Sequence, residues 1–309
     1  MRKKFVFVTL GLLASVSALF GQGTDALTFT RIDRNPATAA FAGAGSASTL
    51  NAAYSAFSNA SVLPFYSGKM DAAVSWQGWA PAAARASHFN AGATFKVSPR
   101  IGVSLGYAMQ RGTAFDILDE AGKPDGTFAP GSHLVALGAG FGLGERFGLG
   151  VNARYALQTL YPSKRIAGLS GDLFLAFQAL EGLRFTVGAS TLGPKVVSQS
   201  GSAYRQPASI QAAGEGVFHF GELHALNVLA DVDYYLSGGF SAAAGLQYAW
   251  KEFLFLRGGY RLSNDKCAIP SHAGLGLGVQ LAGFRLDVSW LTASSALGNT
   301  LSAGIGYRF

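Results

Sequence analysis

The chain has 309 residues, of which 49% are hydrophobic and 13% charged, with 41 Gly, 23 Phe and 11 Tyr and a formal net charge of +7. Soluble domains carry about 25% charged residues, so an ordinary solvated surface is excluded, as are a charge-rich disordered chain and a triplet-repeat collagen. The positive charges at Arg2, Lys3 and Lys4 cluster at the start and the others are scattered, which argues against a nucleic-acid partner.

The first residues, "MRKKFVFVTLGLLASVSALFGQ", place a basic cluster before an apolar run from Phe5 to Phe20 and small or polar residues at Ala18 to Gln22. This pattern predicts a secretory signal peptide over 1–22, because the run is short for a helical span of ~20 residues. Residues 23–68 follow. They are rich in small residues, carry turn formers at "NP" (Asn35, Pro36) and "SNAS" (Ser58 to Ser61), and show no sustained alternation. Such a segment is expected to sit inside or beneath a larger body, as a periplasmic or plug-like piece.

From residue 69 onward a two-residue alternation recurs. In "RFGLGVNARYALQ", Phe147, Leu149, Val151 and Tyr155 oppose Gly148, Gly150, Asn152 and Arg154; in "FRLDVSW", Phe284, Leu286, Val288 and Trp290 oppose Arg285, Asp287 and Ser289. Strands are predicted near 69–78, 88–97, 100–110, 132–143, 146–158, 168–178, 183–192, 206–219, 222–236, 239–251, 253–262, 271–281, 284–294 and 299–309. Most approach the ~9–11 residues that a tilted strand needs to cross a bilayer.

The joints alternate too. Tight ones ("SP" at 98–99, "GE" at 144–145, "LEG" at 180–182, "GE" at 221–222, "KE" at 251–252, "AG" at 282–283) take turns with longer ones, including "YPSKRIA", "GPKVVSQSGSAYR" and the stretch from Arg111 to Gly131; "SGG" near 237–239 is a short exception. Short turns on one side and longer loops on the other characterise outer-membrane barrels. Aromatic residues gather near both strand ends, Phe95, Phe147, Phe218, Tyr248, Trp250 and Phe284 by the turns and Trp76, Tyr107, Tyr155, Tyr234, Tyr260 and Trp290 by the loops, as interfacial girdles do. The fold class expected is all-β: a transmembrane antiparallel β-barrel of about 14 strands over residues 69–309, with an N-terminal plug-like segment, in the bacterial outer membrane.

On that register the lumen receives Asp71, Lys96, Arg154, Asp172, Arg184, Glu215, Asp231, Asp233, Arg257, Arg261, Arg285 and Asp287. Many inward positions are glycine (Gly102, Gly106, Gly148, Gly150, Gly274, Gly276, Gly278), which leaves room for an inserted segment. The last strand ends on Tyr307 and Phe309; a terminal aromatic on an alternating strand resembles the signal read by the outer-membrane assembly machinery. No catalysis is expected: the five histidines never stand at metal-ligand spacing, no serine is marked as a nucleophile, and the glycines of "GAGFGLG" (138–144) occupy the small face of a strand rather than a phosphate loop. No metal or cofactor is expected. Cys267 is a lone cysteine in the loop "SNDKCAIPSH".

The run "RIDRNPATAAFAGAGSAS…AAYSAFSNASVLPF", containing Arg34, Asn35, Pro36, Gly43, Gly45, Ser58, Asn59 and Ala60, resembles the N-terminal signature of the PorV/PorQ branch of the long-chain fatty-acid transporter (FadL) superfamily. It departs from that signature at Ser61, where the family pattern has Asn-Pro-Ala. The resemblance implies a non-enzymatic outer-membrane component of type IX secretion that handles exported proteins, with secreted cargo or secretion-channel subunits as partners besides membrane lipid and the assembly machinery. The alternative it implies is a FadL-like channel for the uptake of hydrophobic small molecules through a plugged lumen.

Overall fold

The computed structural model describes residues 25–79, 85–119, 122–162, 164–198, 201–294 and 297–309; the signal sequence expected at 1–22 lies outside them. The strands in chain order are β1 (Met70–Trp79), β2 (Ala86–Ser98), β3 (Ile101–Gly112), β4 (Phe115–Leu118), β5 (Pro124–Phe128), β6 (Gly131–Leu143), β7 (Phe147–Tyr161), β8 (Lys164–Leu180) and β9 (Leu183–Leu192). They continue with β10 (Val196–Val197), β11 (Ala203–Tyr204), β12 (Ser209–Phe220), β13 (His224–Tyr235), β14 (Phe240–Trp250), β15 (Leu254–Ser263), β16 (His272–Leu281), β17 (Phe284–Thr292) and β18 (Thr300–Arg308). Fourteen of these close a barrel in the order β1-β18-β17-β16-β15-β14-β13-β12-β9-β8-β7-β6-β3-β2, while β4–β5 and β10–β11 are two-stranded sheets outside the wall.

Every neighbouring pair in the wall is antiparallel, and the seam closes with Asp71 opposite Arg308 and Val74 opposite Ile305. Closure leaves no unpaired edge in the apolar layer, the condition for a sheet to cross hydrocarbon. The alternation divides the side chains as the pleat requires. On β1, Asp71, Ser75 and Gln77 are buried while Val74 and Trp76 are exposed; on β17, Arg285, Asp287 and Ser289 are buried while Leu286, Val288 and Trp290 are exposed. The exposed apolar belt is therefore the outer face of the cylinder.

The structure differs from the sequence-based expectation mainly on the loop side. The "YPSKRIA" stretch is not a long loop: β7 runs on to Tyr161 and β8 starts at Lys164, and these two residues pair, so the two strands stay together as a projecting hairpin. The long connections after β3 and β9 carry the small hairpins β4–β5 and β10–β11. Phe115, Phe128 and Tyr161 hold β5 against the projecting hairpin, with ring centroids 5.8 and 6.1 Å apart. Strand β12 begins at Ser209, three residues after the expected start; Gln206 instead donates its side chain to Leu169 O at 2.8 Å and Pro194 O at 3.1 Å.

Residues 25–69 contain one α-helical turn and three 3-10 segments. Asn35 caps α1 (Pro36–Ala40), its side chain accepting from Ala37 N, with Pro36 at the first helical position, where a missing N–H costs nothing. Ser48 caps the 3-10 segment Thr49–Phe57, and Asn59 caps Ala60–Phe65; the first segment is Thr28–Arg31. Nearly all of 34–63 is buried, and the burial is against the inward faces of β1–β3, β6–β8 and β14–β18.

Candidate functional site

The inner wall approaches this segment closely because it is so often glycine. At Gly259 a Cβ would lie 2.5 Å from the backbone of Phe41, and at Gly150 it would overlap the backbone of Ala60 and Ser61. Only glycine admits backbone at that range. The segment thus runs from Asp25 and Leu27 at the loop side, where Ala26 N donates to Arg205 O at 2.7 Å, to Tyr66 at the turn side, where its ring lies under the Arg308 guanidinium at 5.2 Å.

Lumen carboxylates hold the segment by its backbone. Asp231 accepts from Gly45 N at 2.8 Å and Ser46 N at 3.0 Å, and Glu215 accepts from Ser48 Oγ at 2.5 Å. Arg184 donates to Ala47 O at 3.0 Å and pairs with Glu215 at 3.3 Å. The guanidinium of Arg261 donates to Ala42 O at 2.8 Å and packs against Gly43. Lys96 Nζ donates to Pro64 O at 2.9 Å and Tyr66 O at 2.6 Å. On the opposite arc, Arg285 lies 3.4 Å from Asp71 and 3.0 Å from Asp287, and Arg257 reaches Asp287 at 2.5 Å. These pairs stay within the wall.

Asp172 has a separate job. Beside it the β8–β9 register slips between Gly171 and Leu173, a β-bulge, and Thr191 takes a left-handed φ of 57°. Its carboxylate accepts from Thr191 N at 2.7 Å and Ser190 Oγ at 3.2 Å, from Asn152 Nδ2 at 3.1 Å, and pairs with Arg154. The same Asn152 donates to Ser55 O and Ser58 O, each at 3.2 Å, so the bulge and the segment share one network.

The residues of the N-terminal motif fall into two groups. Asn35, Ser58, Asn59 and Ala60 organise the segment itself: Asn35 Nδ2 donates to Asn51 Oδ1 at 3.1 Å, Asn51 Nδ2 to Ser58 Oγ at 2.8 Å, Asn59 Nδ2 to Ser46 O at 3.0 Å, and Ala60 is fully buried. Pro36 touches β18, near Gly304. Gly43 and Gly45, with φ of 86° and 130°, make the turn that meets β13 and β15. Arg34 is different. Its guanidinium is buried and pairs with no carboxylate among the described residues: it donates to Thr30 O, Ile32 O and Phe29 O at 3.1, 2.8 and 3.1 Å and stacks over Phe57 at 4.9 Å, while its Nε finds no partner among them.

Arg34 lines a cavity of about 130 Å³ at the loop side of the lumen. Arg31, Arg154, Arg261, Asp33, Asp231 and Asp233 supply charge to its wall, and Phe57, Trp79, Ile269 and Leu291 supply apolar surface. Arg31 pairs with Asp233 at 2.9 Å and donates to Tyr235 Oη at 3.2 Å. The Gln77 amide, only 1% exposed, reaches the cavity with neither oxygen nor nitrogen hydrogen-bonded among the described residues. Above it Leu27, Phe29, Ile32, Trp79, Leu291 and Leu297 form an apolar cluster. Sequence reasoning passed over Arg31, Gln77 and Trp79; the last two stand on the inward parity of β1, which was the available signal. Among the described residues no group of three His, Cys, Asp or Glu side chains is gathered to hold a metal. Cys267 is half-buried in the β15–β16 loop, its Sγ 3.2 Å from Phe240 O, and burial pushes its thiol pKa up. Tyr307 and Phe309 stack edge to face at 4.2 Å at the turn-side end of the wall.

No protein-family model and no curated protein sequence matches the chain. Solved structures do match in fold. The Pseudomonas putida toluene transporter TodX superposes with a TM-score of 0.58 at 13% identity, over 93% of this chain and 98% of that one. The CymD monoaromatic hydrocarbon channel gives 0.59 at 12%, over 89% and 97%. A Pseudomonas aeruginosa FadL homologue gives 0.54 at 11%, over 93% and 100%. The chain thus shares with these three proteins the fold of a FadL-like outer-membrane β-barrel.

Proposed function

We propose that the protein is an outer-membrane channel for hydrophobic small molecules, with residues 25–66 as a plug that must shift for passage. The observation that carries this reading is the polar lumen occupied by a segment held mainly through its own backbone, inside the same barrel architecture as hydrocarbon channels. A segment tied by hydrogen bonds to a few carboxylates and arginines can rearrange by exchanging those bonds for water, each worth only ~0.5–1.5 kcal/mol net. The cavity under the loop-side apolar cluster is the entry pocket: Phe57, Trp79, Ile269 and Leu291 receive an apolar body, while Arg34 and Gln77 offer unspent hydrogen-bonding capacity to a polar end.

The export role implied by the PorV/PorQ resemblance has no support among the structural neighbours, and the hydrophobic-solute reading replaces it. Trp79 tests the choice. Trp76, Trp250 and Trp290 face outward while Trp79 is buried at the cavity; replacing those three by Phe leaves a single reporter. Toluene added to that variant in detergent should quench or shift Trp79 emission in a saturable way. Emission that does not respond, together with secreted protein co-isolating with the barrel, would reverse the conclusion.

A further inference from the structure

The outer face of β3, β6, β7 and β8 carries a graded set of side chains near the loops. Ladder register puts Tyr107, Val135, Tyr155 and Leu169 in one cross-strand row. Two residues further toward the loops stand Met109, His133, Leu157 and Ala167, with Tyr107 Oη and His133 Nδ1 2.8 Å apart. Two residues further again the row reads Arg111, Gly131, Thr159, Arg165. All four share the outward parity of the exposed apolar residues below them, and both arginines are exposed. Neither has a carboxylate or other partner among the described residues.

The aromatic row marks the interface between hydrocarbon and headgroups, where amphipathic rings settle. Arginines two rows beyond it, toward the loops, therefore stand at headgroup height. They are three strand spacings apart, about 14 Å, too far for one phosphate and comparable with the length of a disaccharide. Gly131 and Thr159 between them leave the sheet surface low. A planar guanidinium binds a phosphate in two-pronged fashion, and the loop side of an outer-membrane barrel faces the outer leaflet.

We propose that Arg111 and Arg165 form a binding site for an outer-leaflet glycolipid whose disaccharide headgroup carries a phosphate at each end. The sugar spans Gly131 and Thr159, each arginine takes one phosphate, and acyl chains descend over Tyr107, Val135, Tyr155 and Leu169. Under the projecting β7–β8 hairpin the lipid becomes part of the wall that supports the loops above it.

Native mass spectrometry of the full-length protein, purified in detergent and offered diphosphoryl lipid A, monophosphoryl lipid A or phosphatidylethanolamine, tests this. Diphosphoryl lipid A should remain bound, and the monophosphoryl form should bind about tenfold more weakly, as loss of one charged hydrogen-bonded contact implies. Arg111→Gln and Arg165→Gln should each cost about tenfold by the same reasoning, while Lys195→Gln, on the 193–208 connection, changes nothing. Heat-modifiable gel migration reports that each variant is folded. Undiminished binding by the folded double variant overturns the site; if that variant does not assemble, equal retention of the three lipids by the unaltered protein overturns it instead.

Discussion

The wall and the segment it encloses are built by opposite rules. The wall is specified by contrast: on β17 the inward Arg285 and Asp287 and the outward Leu286 and Val288 would each be misplaced by a one-residue slip. The segment 25–66 has no such contrast, since both its faces are buried. It is specified by close approach and by caps, by Asn35, Ser48 and Asn59 at helical starts and by glycine where backbones meet. The wall is therefore tied to its solvent, and the segment to particular partners that can be exchanged.

Breaking the wall should cost most. Leu137 is exposed at the middle of β6, and Leu137→Arg puts a charge into the lipid layer for about 2–4 kcal/mol, read as a drop in unfolding midpoint in detergent or lipid. The same substitution pattern separates the two regions at glycine. Gly150→Val drives a side chain into the backbone of Ser61 and should cost about 1–3 kcal/mol, seen as protease access to residues 25–66 while the barrel still resists heat and detergent. Outward Ala153→Val, one strand step over from the centre of β6, should do neither. A smaller effect sharpens the comparison: Asn59→Ala removes a cap and the bond to Ser46 O, worth about 1 kcal/mol, and should speed amide exchange at Ser61 without touching the wall.

Most of the wall was legible because membrane and lumen impose a two-residue period on every crossing strand. Legibility stopped where that contrast stops. At the loop end of β7 and β8 the contrast between faces fades, with Leu157, Gln158, Thr159 and Ile166 all half-buried, so the stretch to Tyr161 and from Lys164 read as loop, and the short β4–β5 and β10–β11 hairpins left no periodic trace. The inward charges could be picked out by parity, since Arg154, Asp172 and Asp233 each sit between outward apolar residues. Their partners could not. That Asp231 holds Gly45 and Ser46, or that Asp172 braces a bulge at Thr191, depends on residues more than a hundred positions apart or on a register slip that no local pattern announces. Arg31 and Arg34 stood in a segment without periodicity, so nothing placed them at a cavity.

The central claim is that solute passes only when the lumen segment moves. Ser55 Oγ lies 3.2 Å from Thr94 Oγ1, both at the position a cysteine sulfur takes, so Ser55→Cys with Thr94→Cys, in a Cys267→Ser background, can tie the segment to β2 with a disulfide. The account predicts that oxidation stops toluene entry into proteoliposomes and that a reductant restores it. Entry at an unchanged rate through the cross-linked barrel would contradict it.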